Sequence, residues 1–290
     1  DESGIYFDAT QSSDLEKIIQ QPENQHNIAR AKRAIQQILD YGITKYNQKF
    51  DSINPVYFNT GRHILVVDQT FGDQSIQYAG ANVDSFRSML KVALESHPDA
   101  TIWVKVHPDV IAGKTKGHFT SADLIHPQIK ICSQNYNPIE LLQYVDDVYV
   151  VSSQLGFEAL LRGKTVHCFG VPWYAGWGLT QDQNAPLDIL KGRRQNPKSL
   201  EHLFASAYFH YARYVSPVTQ QRCELEEIIE LLIPNIEFQK NLQPHLVALG
   251  FSRWKRKFIA SFLNFPKVNL SFQKIFLFGK SLCISEKPKP

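Results

Sequence analysis

Short apolar runs alternate with amphipathic segments through the middle of the chain, from residue 61 to about residue 170. The runs at 63–68 (HILVVD), 100–106 (ATIWVKV) and 148–151 (VYVV) are rich in β-branched and aromatic residues, which favours buried strands. Between the first two runs, residues 83–96 place apolar side chains at helical spacing. Strands and helices that alternate in this way predict the α/β class, with a Rossmann-like parallel sheet and flanking helices.

One βαβ unit is predicted with particular clarity at residues 148–178. Its first strand ends at Ser152 and Ser153, which stand where a helix N-cap would stand. In parallel sheets the turn from a strand to a helix is where ligands bind, and the free N–H groups of a helix start favour an anion. The pair of serines therefore predicts a phosphate-binding turn.

Outside this region the pattern is mainly helical. A short strand is predicted at 5–7, and helices are predicted from Ser13 and up to Gly42, where apolar residues recur at helical spacing. Beyond residue 178, helices are predicted at 199–214 and 221–233.

Composition narrows the class of protein further. The chain has 290 residues and a formal net charge of +3, which is too small to indicate a nucleic-acid partner. No apolar run is long enough to span a bilayer. The four cysteines are scattered and form no CxxC pair, so we expect no zinc site and a reducing cytoplasm. The chain opens without an initiator Met or a signal peptide, which predicts an internal piece of a longer protein.

Polar side chains follow three predicted strands. Because the carboxyl ends of parallel strands gather at one crevice, we expect these side chains to lie together. They are Asp68, Gln69 and Asp73; Lys105, His107 and Asp109; and Ser152, Ser153 and Gln154. Carboxylates, cations and hydroxyls at one edge predict a nucleotide-dependent transferase or epimerase.

Each of these residues also has a purely structural interpretation. Asp73 can cap a helix or a turn, Ser152 can be an N-cap, and Lys105 can lie on a solvated strand end. His107 with Pro108 can form a turn. Their placement at successive strand ends is what favours a shared site.

Longer motifs carry a family resemblance. Residues 152–180 read SSQLGFEALLRGKTVHCFGVPWYAGWGLT, and GIYFDA at 4–9 and KVHPDV at 105–110 accompany them. With these motifs the chain resembles the capsule polysaccharide synthesis family, specifically the retaining β-Kdo glycosyltransferases of the KpsC/LipA type. The resemblance covers residues 4–232.

The resemblance implies an enzyme that transfers Kdo from CMP-β-Kdo, with retention, onto a growing Kdo chain on a lipid acceptor of the lyso-phosphatidylglycerol type. It implies a GT-B-like fold, of which this chain is the donor-binding half, and no cofactor beyond the donor substrate. The expected partners are a second transferase module and capsule assembly proteins. The expected location is the cytoplasm, peripheral at the inner membrane of a Gram-negative cell.

Roles for single residues follow from the same resemblance. Asp73 matches the nucleophile, and retention requires that a carboxylate attack and then leave again. His107 and Pro108 match an element that contacts CMP, and Ser152 and Ser153 match the serine motif that holds the donor phosphate. The remaining donor-binding candidates are Lys105, Gln154 and Glu158, the last as a ribose-binding carboxylate. No metal site is expected, because a monophosphate donor removes the need for a diphosphate-bound ion.

Four further residues are candidates for the site. Asp68 is a rival nucleophile, because the strand-end loop reads DQTFGDQSI. Gln69 follows it directly. Tyr174 and Trp177 belong to the YAGWG loop, which is expected at the rim of the cleft.

The predicted domain division has four parts. Residues 1–60 are a helical linker and the end of an acceptor domain, and residues 61–200 are the Rossmann-like domain that binds the CMP-sugar. Residues 201–235 are C-terminal helices, and residues 236–290 are a linker and the start of a second module. Such a piece is expected to bind CMP or CMP-Kdo weakly and not to transfer Kdo alone.

The sequence is also consistent with three other functions. An inverting transferase of the CMP-sialic-acid type would use Asp73 as a base. A UDP-sugar epimerase would prefer uridine nucleotides, and a non-catalytic binding module would bind no nucleotide. The basic aromatic segment at 254–265 has two interpretations as well, contact with anionic lipid or packing on its own domain.

Overall fold

The computed structural model of the chain describes residues 1–45, 50–58, 60–106, 110, 116–241, 245–263, 269–273, 276–278 and 281–283. The chain divides into two units, Asp1–Glu230 and Leu231–Pro290. The candidate residues that the structure describes all belong to the first unit, while His107 and Pro108 lie outside the described residues.

A five-stranded sheet organises the first unit. Its strands are β1 (His63–Val67), β2 (Thr101–Lys105), β3 (Ile129–Cys132), β4 (Asp147–Val150) and β5 (Thr165–Cys168). They lie in the order β3-β2-β1-β4-β5, and every neighbouring pair is parallel. The predicted α/β class with a Rossmann-like parallel sheet is thereby confirmed.

The strand β1 holds the centre of this sheet. All five of its residues are buried, and Leu65 is paired with Trp103 on one side and with Val148 on the other. Helices cover such strands on both faces, which is why they are continuous apolar runs in the sequence.

Helices and short connections surround the sheet. The α-helices are α1 (Asp14–Gln20), α2 (Gln25–Tyr41), α3 (Gln74–Tyr78), α4 (Val83–Ser96), α5 (Pro138–Leu141), α6 (Leu155–Leu161), α7 (Leu200–Ala205) and α8 (Leu225–Asn241), of which α8 contains the division point between the units. The first unit also contains three shorter turns and one hairpin. They are two 3₁₀ turns (Pro55–Phe58, Leu187–Leu190), a π-helical turn (Ser206–Tyr211) and an antiparallel hairpin of β6 (Tyr214–Val215) with β7 (Arg222–Cys223).

The apolar face of α4 buries Phe86, Met89 and Ala93 against Ile64 and Ile102 of the sheet. This is the amphipathic arrangement that the sequence of α4 predicts.

Two predicted elements are wrong. No strand forms at residues 5–7, because the backbone N–H of Asp8 donates to the Ile5 carbonyl at 2.9 Å and closes a turn there. The helix predicted at 199–214 ends at Ala205 and continues as the π-helical turn. That turn places Tyr208 against Phe204, with 4.5 Å between the ring centroids.

In the second unit, two parallel strands, β8 (His245–Leu249) and β9 (Asn269–Gln273), are joined through α9 (Arg253–Leu263). A short antiparallel pair follows, β10 (Phe276–Phe278) with β11 (Ser281–Cys283). On α9, Trp254 is 68% exposed and Phe258 is 53% exposed, and contact with lipid stays a prediction. Among the helices that the structure describes, none has the length and apolar character needed to cross a bilayer.

A buried ion cluster ties α1 to the chain that follows the sheet. Both oxygens of the Glu16 carboxylate accept hydrogen bonds, one from Arg193 Nε at 2.7 Å and one from Arg194 Nε at 2.9 Å. The second guanidinium also donates to the carbonyls of Pro172 and Ala175. Glu16 thereby fixes the aromatic loop that begins at Pro172.

We predict that Glu16→Gln destabilises the chain by about 3–5 kcal/mol, because it leaves the buried Arg194 guanidinium without its counter-charge. Chemical denaturation followed by tryptophan fluorescence measures the effect. Glu95→Gln is the matched control, since Glu95 forms an exposed pair with Lys91 and such pairs are worth at most about 1 kcal/mol. Equal losses in the two variants would contradict the assignment.

Candidate active site

The carboxyl ends of β1, β2 and β4 open into a cavity of about 350 Å³, a size typical of ligand pockets, which span about 300–1,000 Å³. It lies at the point where the strand order reverses, between β1 and β4, and open parallel sheets bind ligands there. The predicted residues that line the cavity are Asp68, Gln69, Asp73, Lys105, Ser152, Ser153, Gln154 and Glu158. The structure therefore brings together the polar residues that follow three separate strands.

Gln69 connects the loop after β1 to the turn after β4. Its side-chain oxygen accepts a hydrogen bond from Ser152 N at 3.0 Å, and its amide nitrogen donates to Ser152 Oγ at 3.1 Å. The same nitrogen donates to Asp73 Oδ2 at 3.4 Å. One buried carboxamide thus spans the distance between the predicted nucleophile and the predicted phosphate-binding turn.

Asp73 has a structural function in addition to its place in the cavity wall. It is the N-cap of α3, where Oδ1 accepts a hydrogen bond from Ser75 N at 2.9 Å. Its other oxygen faces Gln69, and the residue as a whole is exposed. The capping interpretation and the site interpretation therefore apply to different oxygens of one carboxylate. The nucleophile role stays a prediction.

Asp68 is held more tightly than Asp73. It is 5% exposed, and its Oδ1 accepts hydrogen bonds from Gln69 N at 2.8 Å and from His118 N at 3.0 Å. A Cβ on Gly117 would collide with Asp68 Oδ2, so the loop at 116–118 requires glycine at that position. Asp68 anchors this loop to the end of β1, and its role as rival nucleophile stays a prediction.

Lys105 and Glu158 are two half-buried ionisable residues of the cavity, and each influences the pKa of the other. Lys105 is the last residue of β2, Glu158 lies on α6, and both line the cavity. Burial lowers the pKa of the Lys105 ammonium, and burial raises the pKa of Glu158 to about 7 against the opposing effect of Lys105 and Lys45. In the part of the chain that the structure describes, neither side chain makes a hydrogen bond or an ion pair. Both groups therefore keep their polar capacity for a ligand that enters the cavity.

The turn after β4 differs from the prediction in one respect. The N-cap of α6 is Gln154, in helical conformation and without a side-chain cap, and not Ser152 or Ser153. Ser153 Oγ still accepts a hydrogen bond from Leu155 N at 3.3 Å, while Ser152 is turned toward Gln69 and Ser75. Because α6 has only seven residues, the hydroxyl groups of this turn are stronger candidates for contact with an anion than the helix dipole is.

Tyr174 and Trp177 lie beneath the cavity and not at its rim, where they were expected. Tyr174 is fully buried, and its hydroxyl donates to the Ser153 carbonyl at 2.5 Å. Trp177 is also buried, and its Nε1 donates to the Trp173 carbonyl at 3.0 Å. Gly156 leaves the space that the Tyr174 hydroxyl occupies. Tyr174 therefore holds the serine turn directly, whereas Trp177 holds the backbone of Trp173.

Several residues that line the cavity were not predicted from the sequence. They are Tyr6, Phe7, Thr44, Lys45, Val67, Thr70, Ser75, Val106, Pro138, Leu155, Pro172 and Trp173. Ser75 had a usable signal, since it follows Asp73 by two residues, the spacing of an N-capping turn. Trp173 is placed by its Nε1, which donates to Gln154 Oε1 at 3.1 Å, a contact that local sequence does not predict. Among the described residues, no three His, Cys, Asp or Glu side chains are grouped as a metal site requires.

The fold and the cavity define a Rossmann-like α/β protein with a polar cavity at the switch point of its sheet. Residues 1–214 match the family model described as "Capsule polysaccharide biosynthesis protein", and the chain belongs to this family. The expected KpsC/LipA type is confirmed, because the chain is 39% identical over 278 residues to the capsule polysaccharide modification protein LipA of Neisseria meningitidis serogroup A. It is 36% identical over 257 residues to the lipopolysaccharide-processing protein LpsZ of Rhizobium meliloti.

The solved structures that are similar to this chain include two β-Kdo transferases. The Thermosulfurimonas dismutans KpsC β-Kdo 2,4 transferase is 40% identical with a TM-score of 0.72, and the match covers 80% of this chain and 71% of that chain. The β-Kdo 2,7 transferase from the same organism is 31% identical with a TM-score of 0.61, over 80% and 70% of the two chains. Among curated relatives, the match covers 94% of this chain and 39% of LipA, and 87% of this chain and 56% of LpsZ.

We predict that the stability of the chain depends on pH through Glu158. In the folded protein the Glu158 carboxyl group stays protonated up to a pH of about 7. In the unfolded chain the same group loses its proton near the ordinary pKa of a glutamate. The charge that appears as the pH rises through this window therefore destabilises the folded state, by on the order of 2–3 kcal/mol.

Chemical denaturation of the wild type and of Glu158→Gln at pH 4.5 and pH 8 tests this. The wild type should lose stability relative to the variant as the pH rises. Glu140→Gln, which removes an exposed carboxylate, serves as the control and should leave the pH dependence unchanged. A difference between wild type and Glu158→Gln that is the same at both pH values would refute the assignment.

Proposed function

We propose that the protein containing this chain is a glycosyltransferase of capsule polysaccharide biosynthesis that transfers Kdo from CMP-β-Kdo, with retention, onto a Kdo chain on a lipid acceptor. One observation supports this most directly. The Asp73 carboxylate and the Ser152 turn face the same cavity and are joined through Gln69. The 40% identity to a β-Kdo 2,4 transferase indicates which sugar this arrangement serves.

Retention is explained by two displacements. In the first, Asp73 Oδ2 attacks the anomeric carbon of Kdo, and CMP leaves with the electron pair of the broken C–O bond. In the second, a hydroxyl of the acceptor attacks the same carbon from the face opposite Asp73, its proton passes to the solvent, and the Asp73 carboxylate leaves with the electron pair of the broken C–O bond. The configuration is inverted twice and is therefore retained.

The leaving group needs charge stabilisation more than it needs a proton, because the phosphate of CMP is already anionic. Ser152 and Ser153 supply hydroxyl donors at the cavity, and Lys105 supplies a cation there. Fixed donors in a site shielded from water stabilise developing charge without reorganisation. Gln154 completes this wall of the donor site.

The nucleoside is held by other groups in this proposal. Glu158 accepts hydrogen bonds from the ribose hydroxyls, and its position beside Lys105 supports that role. His107 and Pro108, which lie outside the described residues, contact CMP. The donor is the substrate, and the reaction uses neither a cofactor nor a metal ion.

The wider architecture belongs to the same proposal. The chain is the donor-binding part of a GT-B enzyme, and the complete protein adds an acceptor domain, a second transferase module and contacts with capsule assembly proteins. It acts in the cytoplasm at the inner membrane, where its lipid acceptor lies. The higher identity to the 2,4 transferase than to the 2,7 transferase supports a β-2,4 linkage in the product.

We predict that the full-length protein transfers Kdo from CMP-β-Kdo to a synthetic Kdo-lipid and that Asp73→Ala lowers the rate at least about 10³-fold, as loss of a nucleophile does. Mass spectrometry should detect a Kdo adduct on the peptide that carries Asp73, and NMR of the product should give the 2,4 linkage. Asp68→Asn is the matched variant and should retain the adduct at Asp73. An inverted product without any adduct would instead support the mechanism in which Asp73 is a base.

We predict that the full-length protein binds CMP at least about 10-fold more tightly than UMP, a difference of about 1.4 kcal/mol. Isothermal titration calorimetry measures both affinities, with Ser152→Ala expected to weaken CMP binding. A preference for UMP would favour an epimerase, and absence of binding to either nucleotide would favour a non-catalytic module.

A further inference from the structure

The hydrogen bonds around Gln69 close into a ring. Asp73 Oδ1 accepts from Ser75 N at 2.9 Å, and the hydroxyls of Ser75 and Ser152 are 3.0 Å apart. Ser152 and the carboxamide of Gln69 exchange two hydrogen bonds, at 3.0 and 3.1 Å. The ring is completed by Gln69 Nε2, which donates to Asp73 Oδ2 at 3.4 Å. Each member is therefore held from two sides.

The backbone of Gln69 is also held in place, by hydrogen bonds to Asp68 and His118. The residue is 6% exposed, its backbone N–H donates to Asp68 Oδ1 at 2.8 Å, and its carbonyl oxygen is 2.9 Å from His118 Nδ1. The His118 ring stacks on Phe86, with 3.9 Å between centroids, and Phe86 belongs to the core of the sheet. The position of the carboxamide is thus determined by the core and not by the solvent-facing loop that follows.

A carboxamide satisfies the two neighbours at once, because it carries a donor and an acceptor. Its nitrogen donates to the Asp73 carboxylate, and its oxygen accepts from the Ser152 backbone. A carboxylate at the same place would repel Asp73, and an apolar side chain would leave both neighbours without this partner. The identity of residue 69 is therefore constrained by two bonds of opposite polarity.

We infer that Gln69 is the positioning residue of this site, which sets the separation between the attacking oxygen of Asp73 and the leaving phosphate bound at Ser152. The inference rests on the proposed function, because it uses the roles proposed for Asp73 and Ser152. Displacement requires the reacting atoms to be aligned within a few tenths of an ångström, and a misplacement of about 1 Å costs roughly 100-fold in rate. A rigid amide anchored in the core meets this requirement better than two independent loops do.

The test uses the pH dependence of kcat for Kdo transfer by the full-length protein. In Gln69→Glu, a second carboxylate lies in contact with Asp73, and two adjacent carboxylates resist joint ionisation. We expect the acid limb of the profile to move upward by about one pH unit or more. Other titratable groups that face this part of the cavity are unchanged in the variant: Asp68, His118, Lys105, Glu158 and Lys45.

Gln77→Glu is the matched control, because Gln77 is an exposed residue of α3 outside the ring. It adds the same charge close by but without contact, and its acid limb should stay within about 0.3 pH units of the wild type, as expected for a solvent-screened charge. The same upward shift in both variants, or a shift in neither, would overturn the inference.

A second variant removes the bonds without adding charge. In Gln69→Met we expect the rate of adduct formation at Asp73 to fall about 10- to 100-fold and the affinity for CMP, measured by calorimetry, to change by less than about 3-fold. Equal losses of rate and affinity would show a merely structural role and would overturn the inference. This variant also decides the question if Gln69→Glu loses its cooperative thermal unfolding.

The experiments distinguish failure of the positioning role of Gln69 from failure of the proposed Kdo transfer. A wild type that transfers Kdo, with Gln69 variants that behave as the wild type does, refutes the positioning role alone. A wild type that transfers no Kdo refutes the proposed function and the positioning role together.

Discussion

The parallel pairing of β1 with β4 determines where the candidate active site lies in this protein. These two strands are neighbours in the sheet although they are far apart in the chain, so their following loops diverge and leave a crevice between them. The polar residues of both loops, Gln69 and Ser152 among them, are brought within hydrogen-bond distance only by this pairing. A change in the strand order would separate them, whatever their local conformation.

The cavity depends on packing that lies well below its surface. The ion cluster of Glu16 with Arg194 fixes the carbonyls of the aromatic loop, and that loop carries Tyr174, whose hydroxyl holds the Ser153 carbonyl. A buried charge pair is stable only when its hydrogen bonds are complete, and here the guanidinium satisfies both the carboxylate and the loop. The serine turn is thus supported by a chain of contacts that begins at α1.

Much of the fold could be predicted from the sequence because the central strands are short, mainly apolar runs and the main helices have recognisable caps. The hairpin of β6 with β7 could not, since two-residue strands have no periodicity to detect. The candidate site was predicted as a set of strand-end residues, because parallel topology alone gathers them. The arrangement of the side chains within the site could not be predicted. The burial of Tyr174 and Trp177 and the hydrogen-bond ring through Ser75 depend on tertiary contacts that no local sequence pattern contains.

The two aspartates of the β1 loop show how geometry separates residues that the sequence leaves equivalent. Asp68 Oδ1 accepts two backbone hydrogen bonds, and the residue is only 5% exposed, so a substrate has less access to this carboxylate than to the exposed Asp73. Asp73 uses Oδ1 to cap α3, and its Oδ2 accepts only a long bond from Gln69. Attack through Oδ2 leaves the cap intact, and the lost bond is the weakest of the ring. The nucleophile role proposed for Asp73 therefore does not conflict with its function as a helix cap, because the two use different oxygens.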